Sequence, residues 1–143
     1  MQIAVIDGQG GGIGSALIAK IRSEFGNELD ILALGTNALA TAAMLKAGAN
    51  QGATGENAIR VNAAKVAVIF GSLSIVISDA LLGELTGVMA NAIIESQAPK
   101  ILLQPNRYNI HLAGCESQPL PYHIAAAIEQ FKQLLGVLKH VGS

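Results

Sequence analysis

Short apolar runs alternate along the chain with longer stretches in which apolar residues return every three or four positions. Residues 2–7, QIAVID, lead straight into glycines, which is how a central parallel strand reads when both of its faces are covered. Leu17, Ile18, Ile21 and Phe25 then recur at helical spacing until Gly26-Asn27 supplies a stop. Residues 28–35 give a second strand, and the Ala-rich stretch 37–47 a helix ending at Gly48. Residues 49–55 are ambiguous and admit a short third strand, while 56–65 read as a helix with Thr54 as its cap. A buried strand is expected over 66–70, then a helix opening at Ser78-Asp79 with Leu81, Leu85, Val88, Ala92 and Ile93 as its apolar stripe. Residues 100–104 form another strand. In a last helix over about 122–140, Ile124, Ile128, Phe131, Leu135 and Leu138 mark the inner face. The segment 108–120 is open, an edge strand being one alternative.

Strands alternating with amphipathic helices imply parallel pairing, because each crossover returns the chain to the same end of the sheet. The expected fold is α/β, a Rossmann-like three-layer sandwich of about five mostly parallel strands in the order 3-2-1-4-5. At 143 residues, with no linker, repeat or low-complexity stretch, residues 1–143 are expected to form one unit around one core.

Composition narrows the partners. Hydrophobic residues make up 51% and charged residues 13%, too little charge to cover a monomer surface comfortably, so a homo-oligomer, a dimer or higher, is expected. A net charge of -1 and a pI near 6.3 give no electrostatic reason to bind nucleic acid or an anionic membrane. The longest uncharged apolar stretch, 66–78, is too short to span a bilayer. With a single cysteine, Cys115, and no signal-like opening, the cytoplasm is the expected location.

The chemistry sits directly after the first strand. Asp7-Gly8-Gln9-Gly10-Gly11-Gly12-Ile13-Gly14 places five glycines in seven residues between a strand and a helix and fits G-x-x-x-G-I-G through Gly8, Gly12 and Gly14. Glycine is needed where the chain turns tightly, where backbone N–H groups approach a phosphate, and where helix packs on strand. The helix N-terminus adds unpaired donors and partial positive charge, so an anion is favoured without Lys or Arg. The bland alternative is a glycine-rich turn that only joins strand to helix.

This loop resembles the nucleotide-binding loop of short-chain dehydrogenases and reductases over roughly the first quarter of the chain. The resemblance implies NAD(P) or another nucleotide as cofactor. The Tyr-x-x-x-Lys pair of those enzymes is absent, since Leu112 follows four after Tyr108 and Ala126 four after Tyr122. The second strand also ends in Leu34-Gly35-Thr36-Asn37 rather than in the acid that holds ribose hydroxyls. Through the glycine loop, the segment 33–38 and the segment 48–58, the whole chain is similar to a small family of uncharacterised bacterial proteins, a domain of unknown function. That likeness implies a Rossmann-like fold and brings no activity with it.

Loops at the carboxyl ends of the strands supply the other candidates. Thr36 and Asn37 either contact a ribose or 2′-phosphate or cap the next helix. Thr54, Glu56 and Asn57 either meet a ligand's sugar or base or start a helix. Ser72 lies in the loop 71–74, and Asn106 and Arg107 follow the last strand. Asp7 either bonds ligand or ties down the glycine loop. His111 and Cys115 lack a third ligand at telling spacing, so no metal is expected. His123 and His140 read as solvated or end-capping residues on the last helix. No nucleophile, base and orienter assemble. The expected function is a nucleotide- or dinucleotide-binding module, regulatory or non-redox. The alternatives are a small NAD(P)-dependent oxidoreductase or a subunit of one, and a structural or interaction protein with an empty loop.

Overall fold

Ile3 and Val5 point to one side of strand β1 (Gln2–Asp7), Ala4 and Ile6 to the other, and all four are fully buried, so β1 requires a layer on each face. The computed structural model, which describes residues 1–104 and 108–141, supplies both layers. The further elements are α1 (Gly12–Phe25), β2 (Asp30–Gly35), α2 (Ala38–Ala47), β3 (Gln51–Thr54), α3 (Glu56–Ala63), β4 (Val68–Ser72), a 3-10 turn (Leu73–Val76), α4 (Gly87–Glu95), β5 (Lys100–Leu103) and α5 (Leu120–Val141).

The five strands pair in parallel in the order β3-β2-β1-β4-β5, the expected Rossmann-like order. On one face α1, α2 and α5 pack over Ile3, Val5, Val68 and Phe70. There Phe131 meets Phe70 and Phe25 edge-on, with ring centroids 5.2 and 5.4 Å apart. On the other face α3 and α4 cover Ala4, Ile6 and Ile69 through Ile59, Met89 and Ile93. Order β3-β2-β1-β4-β5 makes the strand sequence reverse between β1 and β4, which opens a crevice beyond their carboxyl ends.

Several expected boundaries move. The stretch 49–55 does contain a short strand, β3, whose residues are mostly exposed and therefore carry no apolar alternation. It is held by pairing with β2 and by a 2.7 Å bond between the Thr54 and Thr41 hydroxyls. Thr54 thus does not cap α3; Gly55 occupies that position, with no side-chain cap. Strand β4 starts at Val68, opposite Ile3, and runs to Ser72 because Gly71 and Ser72 pair with Leu102 and Leu103 of β5, while Val66 packs with the α3 and α4 cluster.

The largest difference concerns the expected helix at Ser78-Asp79. Helix α4 instead begins at Gly87 behind Thr86, whose Oγ1 accepts from the Met89 N–H at 3.1 Å. Residues 79–83 turn back on themselves, with Asp79, Leu81 and Leu82 at φ of 67°, 59° and 56°. Leu85 and Ile93 of the expected stripe are buried, Val88 is exposed, and Met89 takes the inward position. Among the described residues, 108–119 contains no strand.

Candidate functional site

The glycine loop is tied down from below by its own strand. Asp7, buried at the end of β1, accepts from the Gly8 N–H at 2.8 Å through Oδ1 and from the Gly14 N–H at 2.7 Å through Oδ2. This is the loop-fastening role, and it removes one first-turn donor of α1 from any ligand. Gly11 turns the chain at φ 72°, where an added Cβ would lie 2.9 Å from the Ala40 carbonyl oxygen. A Cβ on Gly14 would lie 2.5 Å from Met44 Sδ and 3.0 Å from Asp7 Cβ, so this glycine lets α1 settle against α2 and β1. A Cβ on Gly8 would meet Thr36 Oγ1 and Leu81 Cδ1.

Packing accounts for Gly8, Gly11 and Gly14, and leaves Gly10 and Gly12 over. A Cβ at either would meet nothing within 4 Å among the described residues, and neither has a positive φ. Both border a cleft of about 360 Å³ over the carboxyl ends of β1 and β4. Among the described residues, the N–H groups of Gly10, Gly12 and Ile13 have no protein acceptor. Three such donors at the partial positive end of a helix are an arrangement that can accept an anion.

The rest of the cleft is lined by both polar and apolar side chains. Ser72 ends β4, Ser74 lies in the 3-10 turn after it, Gln104 follows β5, Gln118 precedes α5, and Leu120 and His123 come from its first turn. His123 Nε2 accepts from the Gln118 N–H at 3.3 Å, which leaves Nδ1 as the ring's donor. Gln104 Oε1 is buried without a hydrogen-bond partner among the described residues. A second cavity of about 460 Å³ adjoins it beside β5 and shares Gln104, Gln118 and His123.

The candidates from the second and third strands are placed elsewhere. Thr36 and Asn37 lie beside the glycine loop but not in the cleft wall. Their donors converge on a residue the sequence did not single out: Glu84 Oε1 accepts from the Gln9 N–H at 2.8 Å, from Thr36 Oγ1 at 2.7 Å and from Asn37 Nδ2 at 2.7 Å. The Gln9 N–H and then the Thr36 hydroxyl hold the Glu84 carboxyl below the usual carboxylate range; Asn37 adds to this and desolvation opposes it. Asn37 also caps α2, accepting from the Ala40 N–H at 2.8 Å, and donates to the Gln9 carbonyl at 2.9 Å. Glu56 and Asn57 are exposed at the start of α3, with Asn57 Oδ1 accepting from Arg60 at 2.7 Å. Asn106 and Arg107 lie outside the described residues. The signal for Glu84 was faint: an acid directly after Leu82-Gly83, a glycine break inside an otherwise helical pattern.

A family model described as a domain of unknown function, DUF3842, matches residues 2–136. The chain belongs to the DUF3842 family. The DUF3842 match takes in every described residue of the cleft and of the Glu84 cluster. No curated protein and no solved structure matches the chain.

Proposed function

We propose that this chain is a nucleotide-binding module that holds its ligand's phosphate on the N–H groups of Gly10, Gly12 and Ile13 and acts in a regulatory or other non-redox capacity. The observation that carries this reading is the pair of glycines that packing does not require. Among the described residues Gly10 and Gly12 have no neighbour that would forbid a Cβ, yet both border the cleft beside N–H groups with no protein acceptor. Close approach of a ligand to the main chain explains their lack of side chains. Ser72, Ser74, Gln104 and His123 supply hydroxyl, amide and imidazole groups for the rest of the molecule.

A dinucleotide-dependent oxidoreductase is the second reading, supported by the loop's likeness to short-chain dehydrogenases and reductases and weakened by the missing Tyr-x-x-x-Lys pair. Hydride transfer from NADH or NADPH to an acceptor would favour it. We further propose a cytoplasmic homo-oligomer: the low charge content and the exposed side chains of Leu82, Leu39 and Tyr122, at 95%, 70% and 59%, support assembly.

The test is Gly12→Val. A Cβ at this position meets no described residue within 4 Å, so the melting temperature without ligand is expected to stay near that of the parent while nucleotide binding is lost. In the parent, a nucleotide at about 100 times its dissociation constant should add about 2.7 kcal/mol of stability. Retained affinity in Gly12→Val, or no stabilisation of the parent by any nucleotide, overturns the reading and leaves a structural or interaction protein with an empty loop. Native mass spectrometry of freshly purified protein reads the bound mass and the copy number together.

A further inference from the structure

In an open parallel sheet a dinucleotide lies across the crevice, with its pyrophosphate at the first helix and one ribose held at the end of the second strand. In this chain that end is already occupied. Thr36 Oγ1 and Asn37 Nδ2, the polar atoms that β2 delivers to the crevice, both donate to Glu84 Oε1, and so does the Gln9 N–H of the loop itself. Leu81, from the same turn, is buried against Gly8 and lines the cleft beside it. The described cleft continues only toward β4, β5 and α5, where Ser72, Ser74 and Gln104 line it.

Resting on the phosphate-site reading above, we infer that the site takes a single phosphomonoester, a mononucleotide or sugar phosphate, and that Glu84 is the specificity-determining residue that excludes dinucleotides. Three observations converge on it. Thr36 and Asn37 give their side-chain donors to Glu84 Oε1, so a ribose could use those donors only by displacing Glu84 and leaving three donors to be paired again. The carboxylate also repels a 2′-phosphate, which closes the site to the phosphorylated dinucleotide more strongly than to the plain one. Finally, about 360 Å³ lies at the small end of the roughly 300–1,000 Å³ range of small-molecule sites, and the cavity of about 460 Å³ that adjoins it lies beside β5, not at the β2 end; both are lined by Gln104, whose buried Oε1 has no partner among the described residues and is an acceptor that a sugar hydroxyl would satisfy.

The experiment titrates nitrogen-labelled protein with 5′-AMP, ribose 5-phosphate, NAD+ and NADP+, following backbone amides by NMR and affinities by calorimetry. The better of the two monoesters is expected to bind at least about tenfold more tightly than either dinucleotide and to shift the Gly10, Gly12 and Ile13 amides. In Glu84→Ala the dinucleotides should gain about tenfold against the monoester. In Glu84→Gln, which keeps the shape and removes the charge, NADP+ should gain more than NAD+. If Glu84→Ala does not fold, the parent ratio and Glu84→Gln decide. Dinucleotides binding the parent as tightly as the monoesters, or unchanged ratios in folded Glu84 variants, overturn the size limit and leave the phosphate site standing. If none of the four probes shifts the loop amides, the phosphate site falls and the size limit falls with it.

Discussion

Two neighbouring glycines of one loop have opposite sensitivities because their missing side chains face different surroundings. At Gly14 a methyl group would press on Met44 Sδ at 2.5 Å and on Asp7 Cβ at 3.0 Å, and Asp7 cannot yield without releasing the Gly8 and Gly14 N–H groups. Overpacking of this kind costs about 1 to 3 kcal/mol. Gly14→Ala is therefore expected to lower stability by that amount in urea denaturation, whereas Gly10→Ala, facing open space, should change it by less than about 0.5 kcal/mol. Equal losses at both positions would show that the loop's packing is not what distinguishes its glycines. The glycine count was legible in the sequence. Which glycine serves packing and which borders the cleft was not, since that depends on Met44 and Ala40 of α2 and on what the loop faces across the crevice.

At the scale of elements, the turn between the 3-10 segment and α4 is a backbone held in an uncommon shape by what its ends touch. Non-glycine residues at positive φ each cost on the order of 1 kcal/mol. Asp79, Leu81 and Leu82 adopt it together, and the turn offsets this by burying Leu81 and by satisfying three donors with Glu84. The Leu81 N–H also donates to the Tyr108 hydroxyl at 2.8 Å, which links the turn to the segment after β5. The bonds to Glu84 imply a pH dependence. Its pKa in the folded chain lies below the unfolded value of roughly 4.3, so its contribution is complete above that pH and disappears as the pH falls through the lower, folded value. Glu84→Gln should accordingly be less stable than the parent at pH 7, with the gap closing as the pH is lowered below about 4.3. Thermal melts of both proteins from pH 7 to pH 3 check it, and a gap that stays constant across the range would refute the assignment. Leu85 and Ile93 of the expected stripe are buried, but the turn at 79–83 is closed by a backbone bond between Asp79 and Leu85 and anchored to distant segments through Glu84 and the Tyr108 hydroxyl.

For the whole molecule, the sheet is secured on its α1 side by a small aromatic group in a chain with few aromatics. Only three phenylalanines are present, and Phe25, Phe70 and Phe131 join α1, β4 and α5 edge to face. Phe131 is fully buried, so Phe131→Ala is expected to cost about 3 to 5 kcal/mol, measured by chemical denaturation. Because α5 also supplies Leu120 and His123 to the cleft wall, the same substitution should weaken ligand binding beyond what the loss of folded protein explains. A loss under 1 kcal/mol would mean that α5 is not part of the cooperative core. Among the described residues no helix is long and apolar enough to cross a membrane.

The amino-acid pattern determined the strand order, the covered character of β1 and the position of the glycine loop, because periodicity and glycine placement act over a few residues and are written where they act. It also marked Asp7 and Asn37 as fasteners or caps, roles that use neighbours in sequence. Tertiary structure alone decided that β4 ends at Ser72, that α4 starts at Gly87, and that Thr36 and Asn37 face a carboxylate instead of the cleft. The bond from the Gln9 N–H to Glu84 joins positions 75 residues apart. No local pattern encodes such a contact, since it forms only when the parallel sheet brings the ends of β1, β2 and β4 to one edge.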